Sequence, residues 1–288
     1  VKIGIALAGG GAKGAAHLGI IQALEENGIK ADIYAGTSAG SIVAAAKAIG
    51  YGNKTILKMM DEITNDMIDV NYWGIIKALP FKLSSLESVL KGKELRRFLH
   101  RHFDKCISEV KYPLAIISGD LVTGSQAIFS SQEIPVASEL DDEIIVYSNP
   151  HGVKLSDMVY ASAAIPGVFP PFLFKEHKLV DGSVVNILPA NALSAMGADK
   201  VIAIDLNTQY KPKETKGILN IVARSVNLMI DQNSDLSLRY SDNHMVLTPD
   251  MSNISLLQFD KIGEAYNVGY EYGKRIVNQV YDFVYEDA

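Results

Sequence analysis

The sequence predicts an α/β fold, a mainly parallel sheet covered by helices. Three observations carry this expectation. Short apolar runs alternate with helical patterns, glycine-marked turns follow the first two runs, and a long amphipathic stripe closes the sequence. The 288 residues, 48% hydrophobic and 21% charged, suffice for one large core, so one elaborated domain over residues 1–288 is expected.

Ile3 to Ala8 is short, apolar and followed by glycine, the pattern of a strand buried on both faces. Ala15 to Asn27 carries Leu18, Ile21 and Leu24 at helical spacing, and Asn27-Gly28 stops it. Ile33 to Ala35 reads as a second strand. Ser41 to Ile49 reads as a small-residue helix packed on the sheet, broken at Gly50-Tyr51-Gly52. From 54 to 106 the chain turns helical and amphipathic, with Trp73, Ile75, Ile76, Leu79 and Phe81 clustered; this insertion is either a cap or an outer helical layer. His100 and His102 are expected on its solvated side, and their i, i+2 spacing does not share a helix face, which argues against a metal site.

Pro113 to Ile117 and Gln126 to Ser130 read as neighbouring strands joined by the turn Asp120 to Gly124. Ser156 to Ala163 is a helix with Asp157 in its first turn. Ile165 to Phe174 is too rich in proline for a helix and is assigned to packing between strands, with an acyl-binding wall or bilayer contact as the alternatives. Leu179-Val180 then leads into Asp181-Gly182-Ser183. Val201 to Asp205 and Met245 to Thr248 are further strands, and helices over about 217–241 and 260–285 make residues 217–288 a C-terminal unit of helices and last strand.

A formal net charge of −6 without clustered Lys or Arg argues against a nucleic-acid surface. The one cysteine, Cys106, has no internal disulfide partner; it is expected to be buried and inert and suits a reducing compartment. No uncharged run approaches the roughly 18 residues of a membrane span. The expectation is a cytoplasmic protein, soluble or peripheral to a membrane.

The chemistry-bearing residues lie in two early turns. Gly36-Thr37-Ser38-Ala39-Gly40 is a G-x-S-x-G elbow between a strand and a helix, whose small neighbours let a serine sit exposed on a tight turn. Gly9-Gly10-Gly11-Ala12-Lys13-Gly14 offers a row of backbone N–H groups opening toward a helix, suited to a negative oxygen. Together they imply acyl-ester hydrolysis. A competing reading exists, because residues 9–14 also satisfy G-x-G-x-x-G and Asp32 lies near the distance of a ribose-binding acid, which would make the chain a dinucleotide binder.

A serine needs a base. Among the histidines, His17 lies in the first helix, His151 in a Pro-Gly turn and His177 at a polar hairpin tip; His244, just before the last strand, has the late position of a Ser-Asp-His order but no motif around it. Asp181 is the stronger candidate, since it ends an apolar run before Gly182 and would project from a strand end.

Four ordered blocks resemble the patatin-like phospholipases, a family of serine acyl hydrolases. They are Gly9 to Gly14, Gly36 to Ser41, Ala161-Ser162-Ala163-Ala164-Ile165-Pro166 and Asp181-Gly182-Ser183. The resemblance implies a three-layer α/β/α sandwich, a catalytic dyad of Ser38 and Asp181, and an oxyanion hole in the first glycine loop, drawn from Gly9, Gly10 and Gly11 with Ala39 after the nucleophile. It implies lipid or acyl-ester substrates and neither metal nor cofactor. Lys13 is a candidate contact for anionic substrate groups or an anchor of its loop. Ser183 stands where the family more often has Gly or Ala. An inactive member that binds lipid or a partner is the second functional reading.

Overall fold

The computed structural model describes residues 1–63, 88–134, 144–148, 150, 152–207, 228, 238–239, 241, 243–256 and 258–286. In chain order the regular elements are β1 (Ile3–Leu7), α1 (Ala15–Glu26), β2 (Ile33–Thr37), α2 (Ala39–Ile49), α3 (Asn53–Asp61), α4 (Lys93–His102), β3 (Leu114–Asp120), β4 (Gln126–Ser130) and β5 (Ile144–Ser148). They continue with α5 (Leu155–Ala163), β6 (Phe172–Phe174), β7 (His177–Asp181), α6 (Ala190–Ala195), β8 (Lys200–Ile204), β9 (His244–Leu247) and α7 (Ile262–Tyr285).

The described strands form one nine-stranded sheet with the path β5-β4-β3-β2-β1-β8-β9. Pairings β2–β3, β1–β2, β1–β8 and β8–β9 are parallel, and β3–β4 is antiparallel across the turn read from the sequence. Successive strand residues point to opposite faces, and here both faces are covered. Leu7, Tyr34, Ile116, Phe129 and Ile204 belong to a core shared with α1, α2, α5 and α7, while Ala6, Ile33, Ile117, Ile128 and Ala203 belong to a second core under α6. Burial on both sides explains why β1, β2 and β8 appear in the sequence as unbroken apolar runs rather than alternating ones. The result is the expected three layers.

Helix α1 lies against α7, where Tyr266 and Tyr270 donate hydrogen bonds to Gln22 and Glu26 at 2.7 and 2.8 Å. The described parts of the 54–106 insertion close the core from outside: Ile56, Met59, Met60, Leu95, Phe98, Leu99 and Phe103 are buried members of it. Residues 64–87, including the cluster from Trp73 to Phe81, lie outside the described residues, as does most of the helix expected over 217–241. Cys106 differs from expectation. It is half-buried, because it sits in a surface bridge to Lys154 rather than in the core. His100 is exposed as expected, whereas His102 is half-buried against the Phe98 ring, with Nε2 3.2 Å from Glu62. Among the described residues no helix is long and apolar enough to cross a membrane.

One detail of the sheet positions the site. β4 occupies one edge of β3 along residues 115–119, so β2 and β7 must share the other. β2 pairs with β3 as far as Thr37↔Ile117, and β7 takes over with Ser118↔Asp181, running antiparallel. Thus β7 arrives head-on at the point where β2 ends, and Asp181 meets the turn that follows Thr37.

Candidate active site

Ser38 occupies the turn between β2 and α2. Its φ of 53° and ψ of −124° put a non-glycine residue in a sparsely populated region, the strained backbone expected of a G-x-S-x-G turn. The turn is held from several sides. Ser38 N–H donates to Ser162 Oγ at 2.9 Å, Thr37 Oγ1 donates to the Asn186 carbonyl at 2.9 Å, and Ser41 Oγ donates to the Ser38 carbonyl at 2.6 Å. Gly40 is required by close approach, since a Cβ there would stand 2.1 Å from the Leu7 carbonyl oxygen.

Ser38 Oγ donates to Asp181 Oδ2 at 2.6 Å, across 143 residues of chain. The other carboxylate oxygen, Oδ1, accepts the Ser183 N–H at 2.8 Å, and Asp181 N–H donates to the Ala164 carbonyl at 2.9 Å, which ties the strand end to the end of α5. Both side chains are buried. Burial pushes the Asp181 carboxyl above its ordinary value, against the opposing hydrogen bonds from Ser38 and Ser183. The carboxylate is therefore a stronger proton acceptor than a solvated aspartate.

The glycine loop lies beside this pair: a Cβ on Gly9 would fall 3.3 Å from the Cβ of Ser38 and 2.4 Å from Ser183 Oγ. Gly11 has φ +54° and passes so close to Leu256 that a Cβ would stand 2.2 Å from its carbonyl oxygen, so this position admits only glycine. Two side chains fix the loop from behind. Asn207 Nδ2 donates to the Gly9 carbonyl at 2.9 Å, and His17 Nε2 donates to the Ala8 carbonyl at 2.8 Å. Burial lowers His17 to about 4, so its ring is neutral at pH 7.

The expected set of oxyanion donors needs one correction. The Gly9 N–H already donates to the Ile187 carbonyl at 3.1 Å and cannot serve a substrate. Among the described residues, the N–H groups of Gly10, Gly11 and Ala39 have no such partner. Two of them flank the start of the 3-10 turn Gly11–Gly14, which carries the half-buried Lys13, and the third opens α2, so two helix ends converge on the serine.

The structure separates His244 and His177 from this pair. His244 opens β9 in register with Val201, Gly4 and Ile33, the opposite end of the sheet from Ser38, and its Nδ1 lies 2.5 Å from the Ser241 carbonyl. His177 opens β7, four residues before Asp181, and its Nδ1 is 2.7 Å from Asp120 Oδ2. His151 lies outside the described residues. The dinucleotide reading also meets an obstacle. Asp32 Oδ2 accepts the Ile3 N–H at 2.9 Å, at the amino end of β1 and far from the glycine loop at its carboxyl end.

Three residues near the site were not given a role by sequence patterns. Ser162 belongs to one of the four ordered blocks, but only the fold shows that its hydroxyl accepts the Ser38 N–H. Asn207 is a lone asparagine after a strand. Asp120 read as a turn former, yet it is buried: burial alone would raise it, but hydrogen bonds from Thr123, Val122, His177 and Lys178 outweigh that and hold it at about 2.

Residues 5–194, more than half of the chain, match a family model described as patatin-like phospholipase. The chain is 28% identical over 294 residues to an uncharacterized NTE family protein of Mycobacterium tuberculosis, covering 93% of this chain and 45% of that protein. It is 27% identical over 296 residues to the lysophospholipase NTE1 of Kluyveromyces lactis, covering 94% of this chain and 19% of the relative. The chain thus spans less than half the length of these curated relatives. Among solved structures, VipD from Legionella pneumophila aligns over 96% of this chain and 67% of that chain, with a TM-score of 0.49 and 16% identity. On the match over residues 5–194, the chain belongs to the patatin-like phospholipase family.

Proposed function

We propose that the chain is a lipid acyl hydrolase that cleaves carboxylic esters of phospholipids or lysophospholipids through Ser38 and Asp181. The observation that carries this reading is the 2.6 Å hydrogen bond from a strained, elbow-borne serine to a buried carboxylate. Ser38 Oγ attacks the ester carbonyl as Asp181 takes its proton, giving a tetrahedral oxyanion. That oxyanion lies under the amides of Gly10, Gly11 and Ala39, each worth about 3 to 4 kcal/mol by analogy with other hydrolases. Collapse returns the proton from Asp181 to the leaving alcohol and leaves an acyl-serine. Water, deprotonated by Asp181, then releases the carboxylic acid and restores the serine.

A carboxylate is a weak base for a serine hydroxyl, so no free alkoxide accumulates and proton transfer accompanies attack. The raised proton affinity of buried Asp181 helps this step. The name of the yeast relative, a lysophospholipase, supports the substrate class.

A fluorophosphonate probe tests the assignment. The wild-type chain is expected to take one adduct, located on Ser38 by peptide mass mapping, and Ser38→Ala to take none. A wild-type chain that stays unlabelled would favour the inactive binding member. Stabilisation by NAD or FAD without labelling would favour the dinucleotide binder.

A further inference from the structure

Ser183 lies two residues beyond Asp181 and reaches back to it. Asp181 caps the 3-10 turn Gly182–Val184, and its side chain accepts the Ser183 N–H, the local closure that Asp favours at turns. The turn is pressed onto β3, where a Cβ on Gly182 would overlap the Ile117 carbonyl oxygen, and the Val185 and Asn186 N–H groups donate to the Gly182 carbonyl at 3.1 and 2.8 Å. Its backbone is thus held on both sides. On this course the Ser183 hydroxyl also donates to the Asp181 carboxylate.

Two hydroxyls therefore share one carboxylate, that of Ser38 and that of Ser183. Ser183 is half-buried and also touches the glycine loop: a Cβ on Gly9 would overlap Ser183 Oγ and stand 3.3 Å from the Cβ of Ser38. Gly9 is not in the left-handed region, so it is space rather than backbone conformation that asks for glycine there. The missing Cβ leaves room for the Ser183 hydroxyl.

We propose that Ser183 is a positioning residue for the reaction: its hydroxyl, lodged between Gly9 and Asp181, fixes the orientation in which the carboxylate meets Ser38. The proposal rests on the reading of Ser38 and Asp181 as nucleophile and base. A carboxyl taken out of water tends to hold its proton, and a protonated carboxyl cannot accept the one from Ser38. Hydrogen-bond donors favour the charged form, and two of the three donors on Asp181 belong to Ser183. The same donors oppose neutralisation during attack, so the hydroxyl extends activity to lower pH without raising the plateau rate.

The test is a kcat–pH profile of the full chain on soluble p-nitrophenyl butyrate. Ser183→Ala removes the hydroxyl and keeps the N–H, so a cooperative thermal melt is expected. Its acid limb is expected at higher pH than that of the wild type. At the pH where the wild type runs at half its plateau kcat, Ser183→Ala is expected to retain about threefold less of its own plateau, the scale of one hydrogen bond to a charged group. Plateau kcat is expected within about threefold of wild type, with KM unchanged. Gly9→Ala probes the hydroxyl from the other side. The new methyl takes the place of Ser183 Oγ, which must rotate off the carboxylate, so this acid limb is expected to rise as well. Because the hydroxyl can be lost only once, the double variant is expected to match Ser183→Ala rather than to add the two shifts. The titratable residues on the surrounding elements, Lys13 and His17 with the glycine loop, Asp120 and His177 on the β3–β7 pair and Asp157 on α5, are the same in every variant. A moved limb therefore reports the hydroxyl. An acid limb that stays in place or falls in Ser183→Ala overturns the proposal. So does a raised KM at unchanged kcat, which would make Ser183 a substrate contact, or a double variant whose shifts add. Asp181→Asn is the separate control: full activity there removes the base itself, whereas its inactivity beside an unmoved Ser183→Ala limb removes only the role of Ser183.

Discussion

Asp181→Asn is expected to lower kcat for short acyl esters by about 10^2- to 10^4-fold, the range lost with a general base, while leaving the fold intact. The amide can still accept the Ser183 N–H and can donate to Ser38 Oγ, so the geometry survives and only the proton acceptor is removed. Stability should move the other way. Because burial raises the folded-state pKa of Asp181, the ionised carboxylate opposes folding. That penalty is absent below the unfolded value near 3.8 and is fully present once pH exceeds the raised folded value. At pH 7 the wild type carries the penalty and the amide does not, so Asp181→Asn is expected to melt at or above the wild-type temperature. The same shift sets the acid limb of activity: turnover should fall as pH drops through the raised pKa, at a pH above 3.8. A thermal melt beside a kcat–pH profile checks both. An Asp181→Asn protein that is cooperative, stable and fully active would remove the aspartate from the mechanism.

Gly11→Ala is expected to lower kcat by about 10^2- to 10^3-fold, the loss seen when an oxyanion donor is removed. Two constraints act at this position: φ is +54°, and the new methyl would overlap the Leu256 carbonyl oxygen, 2.2 Å away. The loop must shift, and with it the N–H groups of Gly10 and Gly11. KM should change much less than kcat, because these donors meet charge that exists only in the transition state. Steady-state kinetics on a soluble ester separate the two. A kcat within twofold of wild type would mean that the loop does not hold the oxyanion.

Much of the architecture is legible in the sequence because its constraints are local. A strand buried on both faces is a short unbroken apolar run, and a helix stop is a glycine, so β1, α1, α2, β8 and the start of α7 can be read within a few residues. The elbow and Asp181 are legible for the same reason, since each sits at the glycine-marked end of an apolar run. What the sequence withholds is pairing. Nothing in residues 172–181 states that β7 takes over the edge of β3 that β2 leaves, yet that switch brings Asp181 to Ser38. His244 illustrates the converse. Its late position fits a triad order, but the parallel pairing of β9 with β8 puts it at the wrong end of the sheet. The Gly9 amide is a finer case: whether an N–H is free depends on where the Ile187 carbonyl passes, which no local pattern encodes. Buried partners behave likewise. Asp120 and His177 are 57 residues apart, and only the β3–β7 register joins them.

The most direct test of the account is a crystal structure of the phosphonate adduct. It is expected to show phosphorus bonded to Ser38 Oγ, with the phosphonyl oxygen about 3 Å from the N–H groups of Gly10, Gly11 and Ala39 and Asp181 still beside the serine oxygen. An adduct on another residue, or a phosphonyl oxygen turned away from those three amides, would contradict it.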